Sequence, residues 1–238
     1  MADAKTGRRG AAAEFETLLR ARQPLIWVKS IEEKRVERAV AEVAAAYKYE
    51  ARLWDVQRGV QLLDGRLVDS DEKLGVRGGT RVLTELTDGP GAVLALIERV
   101  DVLGRLDESG VRKLRAVWIL RDFHPYPAQS PLVCRALRNL VKQLESAPQV
   151  GAQTIVVVSP PGAKIPDELA DVAVVEWGLP DREEIRELFD KSTSDQEEAL
   201  RARDEADKID PLREYHAESR EAAVEAARGL TGERAHTV

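Results

Sequence analysis

Apolar residues in this 238-residue chain fall into two patterns that alternate along the sequence. Short continuous apolar runs are typical of strands buried on both faces of a sheet. Apolar residues spaced three and four positions apart are typical of helices with one buried face. The runs lie at 24–28, 51–56, 117–120, 154–158 and 172–177, and the helical spacings cover 11–22, 31–47, 91–103 and 132–144. We therefore predict an α/β fold with a five-stranded parallel sheet flanked by helices.

Two stretches interrupt this alternation. Residues 57–80 are rich in glycine and aspartate, so we predict a long loop there, with a small hairpin around Asp64 and Gly65. From Pro180 onward only helical patterns remain, at 182–190, 196–209 and 212–228, with a polar break at 191–195. A further helix begins at Glu233 and is not completed by Val238.

These patterns define three predicted regions. Residues 1–10 form a disordered N-terminus, and residues 11–179 form the α/β domain. Residues 180–238 form a small helical subdomain that resembles a lid and that we expect to be truncated at its last helix.

Composition places the chain among ordinary soluble proteins, because 43% of its residues are hydrophobic and 33% are charged. No apolar run approaches the roughly 18 residues that a membrane-spanning helix needs. Cys134 is the only cysteine, so no internal disulfide can form. We therefore expect a cytoplasmic protein without a membrane partner.

The charge balance argues against nucleic acid as the main partner. The chain has 36 basic and 42 acidic residues and a net charge of −6, whereas nucleic-acid-binding domains are usually strongly basic. A local basic patch is still compatible with the sequence, since basic residues recur between Arg112 and Lys142.

The strongest candidate for a site is the end of the apolar run at 117–120, which leads into Arg121 and Asp122. In P-loop nucleoside triphosphatases an acidic residue at such a strand end holds Mg²⁺, and a GxxxxGK[ST] loop earlier in the chain cradles the phosphates. That loop is absent from this sequence. In its expected place stands the segment 29–33, which contains no glycine. Ser30 is a predicted helix N-cap there, and Glu32 and Glu33 in the first turn would repel a phosphate.

The order of the landmarks resembles a AAA-type ATPase module. The closer resemblance is to the N-terminal half of the Ycf-type AAA proteins of chloroplasts, cyanobacteria and some bacteria and phages. The segments that carry it are FETLLRARQPLIWVKSIEEKRVE at 15–37, ILRDFH at 119–124, CRALRNL at 134–140, TIVVVSPPGAKIPDEL at 154–169 and VVEWGLPDREEI at 174–185. GLTGERA at 229–235 is similar to the end of a AAA lid.

The resemblance implies a degenerate, catalytically silent module that a complete ATP-binding module follows. ATP and Mg²⁺ are then implied for the full-length protein, and no cofactor is implied for this chain. Asp122 would take the place of the Walker B aspartate, with Phe123 where a catalytic glutamate is expected, and Ser159 would take the sensor position. Arg135 and Arg138 are candidates for contacts across a subunit interface.

Three functional hypotheses follow. The first is the silent module, which serves assembly, regulation or partner docking, with its own AAA module or other subunits of a homo-oligomer as partners. The second is an unconventional nucleotide-binding enzyme that uses Asp122 and Ser159. The third is a stand-alone interaction protein. No catalytic residue or metal site is predicted, because His124, His216 and His236 are scattered along the chain.

Overall fold

The computed structural model describes residues 10–62, 89–103, 115–146 and 152–231. Contacts divide the chain into two compact units, with the boundary between Trp177 and Gly178. The hairpin predicted around Asp64 and Gly65 and the helix predicted from Glu233 lie outside the described residues.

The first unit alternates helices and strands. Its helices are α1 (Gly10–Arg20), α2 (Glu33–Ala46), α3 (Pro90–Leu103), α4 (Pro125–Gln129) and α5 (Pro131–Glu145). Its strands are β1 (Leu25–Lys29), β2 (Glu50–Asp55), β3 (Gly59–Leu62), β4 (Ala116–Arg121), β5 (Gln153–Ser159) and β6 (Ala173–Glu176), and a 3₁₀ turn covers Asp167–Leu169.

The six strands form one sheet in the order β3-β2-β4-β5-β1-β6. Strand β3 runs antiparallel to β2, and the other neighbouring strands are parallel. In the centre of the sheet Trp27 is paired with Val157, and Leu120 is paired with the same valine from the other side. The carboxyl ends of β1, β2, β4, β5 and β6 therefore meet at one edge.

The prediction of a parallel α/β sheet is confirmed, but the sheet has six strands and not five. The additional strand, β3, lies in the segment predicted to be a loop. The Asp55 carboxylate accepts hydrogen bonds from the backbone N–H groups of Gln57 and Arg58, which closes a tight turn between β2 and β3. Gly59 follows with a φ of +69°, which glycine adopts without strain. A four-residue strand after such a turn lacks the long apolar run that marks the other strands.

Helices cover both faces of the sheet. Apolar residues of α1 and α2 pack on one face, and apolar residues of α3 and α5 pack on the other. The run from Val117 to Leu120 is fully buried between these layers, as its sequence predicts. Each buried side chain of this size contributes about 1.5–3 kcal/mol to folding, so the two cores hold the sheet in place.

The second unit consists of α6 (Arg182–Ala202), a 3₁₀ turn at Ala206–Lys208 and α7 (Ile209–Ala226). The predicted break at 191–195 is wrong, because α6 continues through it. The hydroxyls of Thr193 and Ser194 donate to the carbonyl oxygens of Phe189 and Asp190, four residues earlier. These bonds let polar residues stay within an exposed helix. Among the described residues of the whole chain, no helix is long and apolar enough to cross a membrane.

The helix pair of the second unit has a small apolar core and many ion pairs. The core consists of Ile185, Val224 and Ala227, with Leu230 packed against it. The Arg186 guanidinium donates to the Glu221 carboxylate, and the carboxylate also accepts from Arg182. Hydrogen bonds from these arginines lower the pKa of Glu221. Because little apolar surface is buried, such contacts carry an unusual share of the helix pairing.

We therefore expect that Arg186→Gln accelerates amide hydrogen exchange in α7 by about twofold or more, since α7 loses its charged contact with α6. Exchange measured by mass spectrometry on the intact chain tests this. Arg203→Gln removes the same charge from an exposed position at the end of α6 and is the matched control. Equal exchange rates in the two variants would show that the ion pairs do not hold α7.

Candidate functional site

The candidate site lies at the carboxyl edge of three adjacent strands, β4, β5 and β1. Lys29 is paired with Ser159, and Arg121 is paired with Val158, so the strands end at almost the same level. Asp122 and the turn between β1 and α2 follow directly. The structure thus brings the predicted Walker B-like and sensor-like positions to the edge where a phosphate loop would stand.

The turn between β1 and α2 is closed by its own hydrogen bonds. The Ser30 N–H donates to the Ser159 carbonyl oxygen over 2.9 Å, and the Ser30 hydroxyl accepts from the Glu32 N–H over 3.1 Å. The prediction of Ser30 as helix N-cap is wrong, because α2 begins at Glu33 with Glu32 at the cap position. The serine instead stabilises the turn before the helix.

Carboxylates surround the first turns of α2. Glu32 is buried and pairs with Arg35 over 2.8 Å, and Glu37 is buried one turn further on. A phosphate at a helix N-terminus needs backbone N–H groups free of competing negative charge. The residues present therefore do not fit a nucleoside triphosphate with its magnesium ion.

Arg121 occupies the centre of this acidic group. Its guanidinium makes a two-pronged contact with the Glu37 carboxylate, in which the Nη2–Oε2 distance is 2.8 Å. It also lies 3.5 Å from a Glu33 oxygen and 3.7 Å from an Asp55 oxygen. Hydrogen bonding to Glu37 raises the pKa of the Arg121 guanidinium, so it stays charged. A planar guanidinium matches a carboxylate in this geometry, and the chain thereby supplies its own cation.

One arginine does not neutralise all of the nearby carboxylates. Burial raises the pKa of Glu33, and the negative charges of Glu37, Asp122 and Asp55 raise it further, while Arg121 acts in the opposite direction. Burial is the largest of these effects, and the neighbouring carboxylates add to it. A triphosphate at the start of α2 would also meet the negative charges of these carboxylates.

Asp122 stands alone at the end of β4. Its side chain is exposed and makes no ion pair or hydrogen bond with any residue that the structure describes. Its φ of +48° lies in the left-handed region, which aspartate tolerates better than most residues. The next residue, Phe123, is fully buried and packs edge-on against Trp54 and Tyr126. An aromatic ring thus fills the core at the position where a catalytic carboxylate would be required.

Ser159 is a buried structural residue. Its hydroxyl accepts a hydrogen bond of 2.9 Å from the indole Nε1 of Trp27, and only 2% of the residue is exposed. The bond joins the last residue of β5 to the middle of β1. A hydroxyl in this position satisfies the buried N–H of the tryptophan.

Arg135 and Arg138 lie on α5, whose first turn is capped by the Ser130 hydroxyl. Arg135 is exposed and Arg138 is half-buried, and neither forms an ion pair with a described residue. Cys134, directly before Arg135, is buried in the core, where burial raises the pKa of its thiol. Within the described ranges, no group of three or more histidine, cysteine or acidic side chains could hold a metal ion.

Sequence reasoning missed the ion pair between Arg121 and Glu37. The two residues lie 84 positions apart, and nothing in the local pattern of either one indicates the other. Arg121 could be interpreted only as part of a basic stretch. A usable signal is the arginine directly before the acidic residue of a Walker B-like strand end, combined with glutamates on the helix after β1.

We expect Ser159→Ala to lower the free energy of unfolding by about 1–2 kcal/mol, because it leaves the Trp27 N–H buried without an acceptor. A double-mutant cycle with Trp27→Phe, measured by urea denaturation, should give a coupling of about 1 kcal/mol. A coupling near zero would mean that the hydrogen bond does not stabilise the sheet.

We expect Glu33→Gln to stabilise the first unit at neutral pH. The folded state raises the pKa of Glu33, so ionised Glu33 destabilises the fold at pH values above that pKa. Below the unfolded pKa of about 4.3 the side chain is protonated in both states, and the advantage of glutamine disappears. Urea denaturation followed by tryptophan fluorescence at several pH values measures the difference.

Glu42→Gln provides the control, because it removes the same charge from an exposed position on α2. A Glu33→Gln variant that is less stable than the wild type at pH 7 would contradict the expectation that ionised Glu33 destabilises the fold.

Residues 11–176 match the family described as SpoVK-like AAA ATPase, N-terminal domain. The search of curated proteins returned no match.

Solved structures similar to this chain share little sequence with it. The C. elegans PCH-2 structure is 14% identical with a TM-score of 0.48, and the match covers 95% of this chain and 57% of that one. The Aeropyrum pernix ORC2 protein in ADPNP-ADP complexes is 15% identical with a TM-score of 0.41, and the match covers 76% of this chain and 49% of that one. The structure of the E. coli MS115-1 HORMA:CdnC:Trip13 complex is 13% identical with a TM-score of 0.40, and the match covers 79% of this chain and 58% of that one.

The chain thus spans about half the length of these solved chains. The family match covers most of the sequence and nearly all of the first unit. This chain belongs to the family of SpoVK-like AAA ATPase N-terminal domains.

Proposed function

We propose that this chain is a catalytically silent AAA-like module of the Ycf type, which acts in the assembly, regulation or partner docking of a larger AAA ATPase. The active, ATP-binding module lies outside this chain in this proposal. The helices at 180–238 serve as its lid-like subdomain.

The observation that carries the proposal is the contact between Arg121 and Glu37, together with Glu33 and Asp55 around it. Phosphoryl transfer needs cations and backbone donors that face the phosphates. At this edge the guanidinium is already bound to carboxylates, and the turn before α2 bonds to β5. Removing Glu37 from Arg121 to accommodate a phosphate would leave a buried carboxylate unpaired, which costs about 3 kcal/mol or more.

The position of Asp122 gives further support. A magnesium ion in such a site is normally held by a carboxylate together with phosphate oxygens and a hydroxyl from the phosphate loop. Asp122 has no phosphate loop beside it, and Ser159 is committed to Trp27. The alternative of an enzyme that uses Asp122 and Ser159 is therefore less well supported, because no group of three or more metal-ligating side chains occurs among the described residues.

The family description supports the role in a larger protein, because it names an N-terminal domain of an ATPase. Such a module can contribute surfaces for assembly without contributing chemistry.

Isothermal titration of the intact chain with ATP and Mg²⁺ tests the proposal. We expect no binding at micromolar ATP, and we expect the Asp122→Ala variant to give the same titration as the wild type. Micromolar binding that Asp122→Ala abolishes would favour the enzyme hypothesis. Micromolar binding that persists in the variant would show an unrecognised nucleotide site and would equally contradict a silent module.

A further inference from the structure

One face of α5 is positively charged and exposed. Leu132, Arg135, Arg138, Asn139 and Lys142 recur at three- and four-residue spacings, so they share one stripe of the helix. Leu132 is 83% exposed, which is unusual for a leucine on a helix that also packs into the core. We call this stripe the basic face.

The cations of the basic face are not held in ion pairs among the described residues, and the acidic group that acts on this part of α5 is Glu168, which adds to the effect of burial in raising the pKa of Cys134. Arg135, Arg138 and Lys142 make no ion pair with any residue in the described ranges. No acidic residue occurs in α5 before Glu145 at its last position. A face with three like charges and one exposed apolar side chain is suited to an acidic partner that carries an apolar group of its own.

A face of the opposite character occurs on α7. Glu214 and Glu218 lie one turn apart, and Tyr215 beside them is 67% exposed. Among the described residues, neither glutamate has an ion-pair partner. Other acidic residues of α7, such as Glu221 and Glu225, are paired with arginines. We call Glu214, Tyr215 and Glu218 the acidic face.

The net charge is distributed unequally between the two units of the chain. Acidic residues clearly outnumber basic ones in 178–238, whereas the two are nearly balanced in 1–177. The net charge of −6 therefore comes from the second unit. Two copies of the chain can bring the acidic face of α7 to the basic face of α5.

We propose that the basic face of α5 binds the acidic face of α7 from a second copy of this chain. Glu214 and Glu218 are four residues apart, about 6 Å along their helix, and Arg138 and Lys142 have the same spacing, so both glutamates can reach a cation at once. Leu132 and Tyr215 supply apolar contact beside the ion pairs. Two helix faces bury less than the roughly 800 Å² per partner of a stable interface, so the association is weak and salt-sensitive.

Nucleic acid fits the same observations less well. A polyanion would meet the basic face, but the chain as a whole carries a net charge of −6, which opposes the approach of a polyanion. A second copy presents both faces, so the contact is either reciprocal in a dimer or repeated head to tail. The inference rests on these two surfaces and not on the absence of nucleotide binding.

Charge reversal in both faces tests the proposal on the intact chain. Arg135→Glu with Arg138→Glu makes both faces negative, and Glu214→Arg with Glu218→Arg makes both faces positive. In sedimentation velocity at low salt, we expect each reversed chain to associate at least about tenfold more weakly than the wild type. A mixture of the two chains should associate again, because the negatively charged α5 of the first variant then meets the positively charged α7 of the second. The positively charged α5 of the second variant likewise meets the negatively charged α7 of the first.

Matched controls carry the same charge changes elsewhere. Arg20→Glu with Arg38→Glu alters exposed residues of α1 and α2, and Glu187→Arg with Glu198→Arg alters exposed residues of α6. Both controls should associate like the wild type. Circular dichroism confirms folding of each variant, and Arg135→Gln with Arg138→Gln replaces the first variant if its helices are lost.

Several outcomes would overturn the proposal. A wild type that stays monomeric at low salt and high concentration has no such interface. Association that the reversals leave unchanged, or that the mixture fails to restore, uses another surface. Binding of a short oligonucleotide that Arg135→Glu with Arg138→Glu abolishes, without self-association of the wild type, would assign the basic face to nucleic acid.

Discussion

The structure depends on one constraint, which is that a parallel sheet must be covered on both faces. The strands of this chain are apolar on both sides, and two layers of helices bury them. Each connection between a parallel strand and the next helix then emerges at the carboxyl edge. Polar residues that follow β1, β2 and β4 collect there even though they are far apart in the sequence. The edge is a place for ligands in many such folds, and here the chain fills it with its own groups.

Arg121 determines what this edge can do. Its contact with Glu37 links the end of β4 to α2, and its proximity to Asp55 links both to β2. The arginine balances buried carboxylates that would otherwise be costly. The same contact removes the positive charge that a triphosphate would need. A residue that stabilises the fold thus also argues against nucleotide binding at this edge.

Two positions that resemble parts of an ATPase site are packed inside the sheet and its core. Ser159 satisfies the indole N–H of Trp27, and Phe123 packs with Trp54 and Tyr126. Asp122 alone is left exposed. With the edge occupied internally, the exposed basic face of α5 and acidic face of α7 are the surfaces best suited to contact with other molecules.

The sequence by itself predicted the strands of the first unit except β3, and its described helices except the short α4, because long apolar runs and helical spacings are local properties. It also established that a phosphate loop is missing between Val28 and Glu33. The short strand β3 and the unbroken α6 were not predicted from the sequence. A polar turn precedes β3, and hydroxyls that donate to backbone carbonyls lie within α6, and neither feature produces an apolar pattern. Only the tertiary structure decided the partners of Arg121 and Trp27, which lie 84 and 132 residues away. Contacts at such separations depend on strand order, which single-residue patterns do not encode.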